Sequence, residues 1–336
     1  MATKETLLLL EECLRTHSLH DIASKLNLCV GTIKRWRELN DVPLHYTFDL
    51  QKILHRNIDY TKYSHTLKDQ FFTPDHITQR CWESLLRHVD VSPYTFIEPS
   101  AGDGRFMKVL PPGSIAMDIE PRGEHIFQQD FLSWKPSLPQ KYIVFGNPPF
   151  GLRGHMALNF INHAYSFADY VGFILPQLFE SDGKGSPRKR VLGYHLIHSE
   201  KVSANFYSPE NQVKINGVFQ IWSKLTSNPT YELVKHADDV MKVYSLSDGG
   251  TVATTRNKKM IGKCDIYLPS TCFGKENMRV YSSFDSLPGK KGYGVVFFKE
   301  KDVHLSKAHQ LDWSSVAFLS TNSAYNLRTS LVLRQF

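Results

Sequence analysis

Four short apolar runs, each cut off by a glycine, a proline or an acid, constrain this chain most. They read "YTFIEPSAGDGRF", "SIAMDIEPRG", "KYIVFGNPPF" and "DYVGFILPQLF". Runs this short and this apolar predict strands buried on both faces. The helical pattern "HMALNFINHAYSFA" separates the last two. Strands alternating with helices predict an α/β fold, a mostly parallel sheet with helices on both faces. "KVSANFYSP" and "GVFQIWSKL" then predict a closing strand pair around a polar turn.

A chain of 336 residues suits two or three domains. Residues 1–58 read as helices, 59–225 as the α/β domain and 226–336 as a smaller mixed domain. This last region is rich in Lys, Ser, Gly and Thr, with strand-like runs "VYSSF" and "GYGVVFFK". Hydrophobic content of 41% supports packed cores and excludes a disordered composition. A net charge of +7 fits a polyanionic partner as well as a merely basic protein. The five cysteines have no zinc-ligand spacing and point to a reducing, cytoplasmic setting. No secretion signal or membrane span is expected, and no metal.

In the first region Ser18 is the expected N-cap of "SLHDIASKLNL", with Ile22, Ala23 and Leu26 at helical spacing. A short turn leads to "GTIKRWRELN", where Ile33 and Trp36 share one face. Lys34, Arg35 and Arg37 lie elsewhere on it. Helix, tight turn and basic helix form a helix-turn-helix pattern, and "IASKLNLCVGTIKRW" resembles bacterial helix-turn-helix segments, which favours DNA contact over a solvated basic face. The stretch "ESDGKGSPRKR" is expected to be a mobile loop. Its Lys184, Arg188, Lys189 and Arg190 suit phosphate contacts or plain solvation equally.

Parallel strands deliver chemistry at their carboxyl ends. In "FIEPSAGDG" Gly102 and Gly104 let the backbone turn and approach a ligand closely. Glu98 closes the first strand and can accept from a cationic ammonium. Asp118 closes the next, about 20 residues on, the spacing of a carboxylate that grips ribose hydroxyls. Acids in the turn, Glu98 and Asp103, disfavour a pyrophosphate. They favour a cationic cofactor carrying a ribose, and S-adenosylmethionine fits. In "FQQDFLSW" Asp130 can accept from an adenine amino group while Phe131 lines the ring. Asn147 follows a third strand directly, and Pro148 and Pro149 hold a rigid bend. The Asn147 side-chain oxygen and the Pro148 carbonyl can accept both N–H groups of an exocyclic amine, and Phe150 can stack on the base. A lone "NPP" would read as a strand-terminating turn; the upstream glycine turn and acids argue for chemistry.

"FFTP", "EPSAGDG", "MDIEP", "QQDFLSW" and "NPPF", in this order, resemble the motifs of gamma-type N6-adenine DNA methyltransferases. The resemblance covers about half the chain. It implies a Rossmann-like class I methyltransferase sheet, S-adenosylmethionine as cofactor, duplex DNA with a flipped adenine as partner, and a C-terminal target-recognition region. It also implies that Thr73 and Pro74 close over the methionine part of the cofactor. Glu98 is placed at its methionine end, Asp118 on the ribose, and Asp130 and Phe131 on its adenine. Ser100, Gly102, Ile119 and Asn147 complete the cofactor set, and Asn147, Pro148 and Phe150 meet the target base. Many members carry Tyr where Phe150 stands. RNA adenine methyltransferases and protein-glutamine methyltransferases carry "NPPF" or "NPPY" too, so the motif alone leaves the polymer open. A non-catalytic DNA-binding regulator on the same fold is the remaining alternative. The sequence leaves the target site, and any partner endonuclease, unread.

Overall fold

A computed structural model describes the chain except residues 1, 27, 182–185, 209–211, 227–236, 238, 252–253 and 320–323. Contacts divide it into two compact units, one of residues 1–173 and 205–213, the other of 174–204 and 214–336. No described helix is long and apolar enough to cross a membrane.

The first unit opens with helices α1 (Ala2–Thr16), α2 (Leu19–Lys25), α3 (Val30–Leu39) and α4 (Thr47–Ile53). Ser18 caps α2 as expected. Its Oγ accepts the Asp21 N–H at 3.1 Å, and Asp21 accepts the Ser18 N–H at 3.1 Å. This reciprocal pair satisfies two otherwise orphaned donors. Leu10, Ile22, Leu26, Ile33, Trp36, Leu50 and Ile53 form one apolar cluster across all four helices.

The same unit holds helix α5 (Asp75–His88) and the parallel strands β1 (Thr95–Glu98), β2 (Ile115–Asp118), β3 (Phe127–Gln128), β4 (Tyr142–Gly146) and β5 (Tyr170–Pro176). Their order is β3-β2-β1-β4-β5. Ile97 is in register with Ile115 on one side and Val144 on the other. Every residue of β4 is buried. Phe145 packs edge-on against Phe96 and Phe106, at 6.3 and 5.4 Å. Helix α6 (His155–Ala164) follows β4.

The second unit takes up the sheet from the last residues of β5, in the order β5-β7-β6, with β6 (His195–Tyr207) and β7 (Gln212–Ser223) as the expected closing pair. It also contains β8 (Met241–Ser247), β9 (Ile266–Pro269), β10 (Thr271–Phe273) and β11 (Lys291–Phe297). Helices α7 (Lys301–Gln310) and α8 (Trp313–Val316), strands β12 (Phe318–Leu319) and β13 (Ala324–Asn326), and helix α9 (Thr329–Leu333) complete it. Here β8-β11-β9 and β10-β13-β12 are separate three-stranded antiparallel sheets.

The fold is thus the expected α/β, with a mostly parallel Rossmann-like sheet, an N-terminal helical region and a mixed C-terminal one. Two expectations need correction. The links from β1 to β2 and from β2 to β4 carry only 3₁₀ turns, at Phe106–Lys108 and Phe131–Ser133, instead of α-helices. Pro99, Gly102, Gly104, Pro111, Pro112 and Gly113 crowd the first link, and such residues end helices early. "VYSSF" is no strand: Tyr281 alone bridges to Tyr267. Helix α4 reaches the strand loops, Lys52 Nζ donating to Asp130 at 2.7 Å, and the division falls within β5.

The capping pair is exposed and local, so its loss should be felt in stability alone. Ser18→Ala is expected to lower stability by about 1 kcal/mol, read as a lower urea midpoint by circular dichroism. An unchanged midpoint would show the cap to be idle.

Candidate active site

Strands β1, β2 and β4 are parallel and end side by side at Glu98, Asp118 and Gly146. In chain order the sheet grows from β1 toward β2 and β3, then resumes on the other side with β4. The β1/β4 boundary is therefore the topological switch point, where open α/β sheets bind ligands. A cleft with about 770 Å³ of empty space, its open mouth included, lies there.

Thr73, Ser100, Gly102, Asp118, Ile119, Asp130, Phe131 and Asn147 all stand on its wall. The sequence reading therefore gathers its cofactor set in one place. Pro74 is buried next to Thr73 as the residue preceding α5. Glu98 lies behind the wall, 1% exposed. Its carboxylate packs on Gly146, where any Cβ would fall on the carboxylate oxygens. That contact requires glycine at the strand end. Neither Glu98 oxygen has a hydrogen-bond partner. Burial pushes this carboxyl well above the usual range and the Asp118 charge adds to the rise. The Ser100 N–H opposes that rise by more than the Asp118 charge adds to it.

Asp118 is braced by backbone. Its Oδ2 accepts the Gly102 N–H and its Oδ1 the Glu120 N–H, both at 2.8 Å. The carboxylate therefore ties the glycine turn to the loop after β2. Gly102 adopts φ +52°, and a Cβ there would lie 2.8 Å from the Phe72 ring. The turn demands glycine on both counts. Burial raises the Asp118 carboxyl too, against those two N–H groups.

Asn147 is held at two atoms. Its Nδ2 donates to the Phe71 carbonyl at 3.2 Å, and its own carbonyl accepts the Ser100 hydroxyl at 3.1 Å. Its Oδ1 is buried without a partner. The Phe71 bond fixes which end of the amide is the oxygen. Pro149 joins Asn147 on the cleft wall, while Pro148 is buried and Phe150 half-buried. Beyond them Asp69 Oδ2 accepts the Gly151 N–H at 2.7 Å and anchors the loop. Burial drives the Asp69 carboxyl up, opposed by that N–H and by His45 and His155.

Several residues on the wall escape sequence reasoning. Lys68, 5% exposed, donates to Glu120 at 2.6 Å, and Arg122 reaches the other Glu120 oxygen at 2.8 Å. Burial opposes it, but these two cations hold the Glu120 carboxyl below the usual range. Arg105 binds Asp103 at 2.9 Å and the Tyr207 hydroxyl at 2.6 Å. The Lys52–Asp130 pair is the least expected, because the partners are far apart in sequence. Only the run "MDIEP", which contains Glu120, carried a readable signal.

The basic residues predicted to meet phosphates are dispersed. Helix α3 follows α2 closely in the chain, and Lys34 and Arg35 are exposed on it. Arg37 is bound to Glu11 at 2.7 Å, so it is a poor phosphate ligand. In the second unit Lys189 is exposed, whereas Arg188 and Arg190 are half-buried in a 3₁₀ turn, Pro187–Arg190. Ser181, Ser186 and Pro187, in the described part of this stretch, are buried. Lys184 lies outside the described residues.

Neither a family model nor a curated protein matches the chain. Solved structures do resemble it. The methyltransferase subunit of a type I restriction-modification system from Streptococcus thermophilus aligns over 67% of this chain and 66% of its own, at 13% identity and a TM-score of 0.36. A magnesium protoporphyrin IX methyltransferase from Synechocystis PCC 6803 with bound SAM aligns over 44% and 79%, at 12% identity and 0.33. An rRNA methylase from the same Streptococcus aligns over 46% and 98%, at 13% identity and 0.28. At such scores the likenesses decide nothing about chemistry, which rests on the strand ends.

The unpartnered Glu98 carboxyl makes stability depend on pH. Below its ordinary value of 4.5 the group is neutral in folded and unfolded chains alike. Above it the unfolded chain releases a proton that the folded protein keeps, so stability falls as pH rises toward the folded value. Glu98→Gln, neutral throughout, should flatten that fall. Urea midpoints of the two proteins, compared between roughly pH 5 and 8, should diverge as pH rises. Parallel curves would mean that Glu98 is solvated.

Proposed function

We propose that this chain transfers a methyl group from S-adenosylmethionine to the N6 amino group of adenine in DNA, the base being turned out of the duplex. The observation that carries this reading is the Asn147 Oδ1 atom, a buried acceptor locked in orientation and lacking any partner on the cleft wall. Buried polar atoms are almost always paired, so an orphan at the carboxyl edge of a parallel sheet marks a place for a ligand donor.

The residues present fit the cofactor. Glu98, buried and unpartnered, suits a cation, whose approach favours its ionised form. Asp118 retains lone pairs for ribose hydroxyls beyond its two backbone donors. Asp130 accepts from the adenine amino group, and Phe131, its ring tilted 30° to that of Phe160 at 5.1 Å, lines that end. Thr73 and Pro74 close the methionine end. When bound, the cofactor supplies a methyl group made electrophilic by its sulfonium, with the leaving group built in.

The chain's own work is then orientation and charge placement. The Asn147 oxygen and the Pro148 carbonyl accept the two N–H groups of the target amine. This draws the nitrogen toward tetrahedral geometry and concentrates its lone pair. Phe150 offers the π face on which the base stacks. Stacking worth roughly 1–3 kcal/mol offsets much of the unstacking cost. DNA is favoured over RNA or a protein glutamine by the helix-turn-helix pattern in the sequence of α2 and α3, with Lys34 and Arg35 exposed. Residues 1–58 then serve DNA binding, 59–225 the chemistry, and 226–336 target recognition or an accessory role.

Asn147→Ala should lower kcat on duplex DNA on the order of a hundred- to a thousand-fold. The check is transfer from labelled S-adenosylmethionine to duplex DNA, with single-stranded DNA, RNA and protein as parallel acceptors. Wild-type transfer to RNA or protein alone would move the substrate to those polymers. Cofactor-free DNA binding without transfer would make the chain a regulator.

A further inference from the structure

Asp130 is served by two different parts of the chain. Its Oδ1 accepts the Leu132 N–H at 3.0 Å, capping the 3₁₀ turn that carries Phe131. Its Oδ2 accepts Lys52 Nζ at 2.7 Å. Lys52 belongs to α4, outside every motif of the catalytic half. Its neighbours Leu50 and Ile53 are buried in the cluster that unites α1 to α4, so α4 cannot swing away alone. One turn earlier, Asp49 lies 3.4 Å from His155, at the start of α6 beyond the Asn147 loop. Helix α4 therefore meets the catalytic half at two points, one on the Asp130 side of the cleft and one behind the Asn147 loop.

Both members of the Lys52–Asp130 pair are about a third exposed, at 36% and 30%. Exposed pairs add little to stability. What the pair does fix is direction. A carboxylate offers about four lone-pair sites, and a donor on each oxygen pins the group against rotation. Asp130 stands on the cleft wall, so a remaining lone pair is available to a ligand there.

We propose that Lys52 is a positioning residue for recognition of the cofactor's adenine. It holds the Asp130 carboxylate so that it accepts the 6-amino group, and the N-terminal helical segment thereby completes the cofactor site. This rests on reading the cleft as the S-adenosylmethionine site. A fixed carboxylate welcomes an N–H donor and repels an oxygen in the same place. The ratio of affinities for a 6-amino and a 6-oxo ligand therefore reports the position of Asp130.

The experiment measures binding of S-adenosylhomocysteine and of S-inosylhomocysteine to the full chain by calorimetry. The wild type should prefer the adenosyl compound by about tenfold or more, the size expected of a hydrogen bond to a charged acceptor. Lys52→Met keeps the apolar stem and should narrow the preference to within about threefold, while Lys52→Arg keeps it. Should Lys52→Met lose its thermal transition, Lys52→Gln is read against the same ratio. A Lys52→Met protein that loses affinity for both compounds equally, or for neither, overturns the proposal. A wild type that binds both compounds equally well also overturns it, while leaving the cleft a cofactor site. A wild type that binds neither removes the reading of the cleft itself.

Discussion

The hydrogen bond from Asn147 Nδ2 to the Phe71 carbonyl governs the rest of the site. An amide can turn over and exchange its oxygen for its nitrogen. Here one end is tied to a segment 76 residues earlier, so the other must present oxygen. That oxygen is buried and has nothing to accept. Burial without a partner is costly, on the order of 1–3 kcal/mol. The surrounding features all serve to keep it in place. A fully buried strand delivers it, Glu98 packs on the glycine before it, and Ser100 and Asp69 fasten the loop around it.

The site therefore runs across a boundary between two strands that meet only because the sheet reverses its direction of growth. Glu98 comes from one side of that boundary and Asn147 from the other. Between them lies a patch with two unpartnered carboxylate oxygens and one unpartnered amide oxygen. The Asn147 oxygen, buried and without a protein donor, suits a ligand N–H. The backbone donors on Asp118 serve a second purpose: they hold the glycine turn rigid before any ligand arrives.

Much of this was legible in the sequence, for a physical reason. Parallel strands must end on one edge, so Glu98, Asp118 and Asn147 could be placed together from three apolar runs and their terminators. Gly102 and Gly146 announced backbone that side chains would obstruct. Other parts depend on contacts that no local pattern carries. The Lys52–Asp130 pair joins residues 78 apart, and the Asp69–Gly151 bond joins residues 82 apart. Arg37 reads as a free cation on a basic helix until the fold sets Glu11 beside it. The half-burial of Arg188 and Arg190 was likewise hidden in a run that reads as a solvated loop. The 3₁₀ links were readable from their prolines and glycines but were outweighed by the expected strand-helix alternation.

The helical region is more than an appendage to the sheet. Leu152, just after the Asn147 loop, packs against the apolar cluster shared by α1 to α4. A force on α3 has a continuous packed route to the catalytic loop. The account stands or falls on where the Asn147 oxygen points when substrate is present. A crystal structure of the full chain with S-adenosylhomocysteine and deoxyadenosine measures this directly. The account predicts the adenine N6 atom about 3 Å from Asn147 Oδ1, with Nδ2 still on the Phe71 carbonyl. A nucleoside bound elsewhere, or an Asn147 amide turned over to pair within the protein, would contradict it.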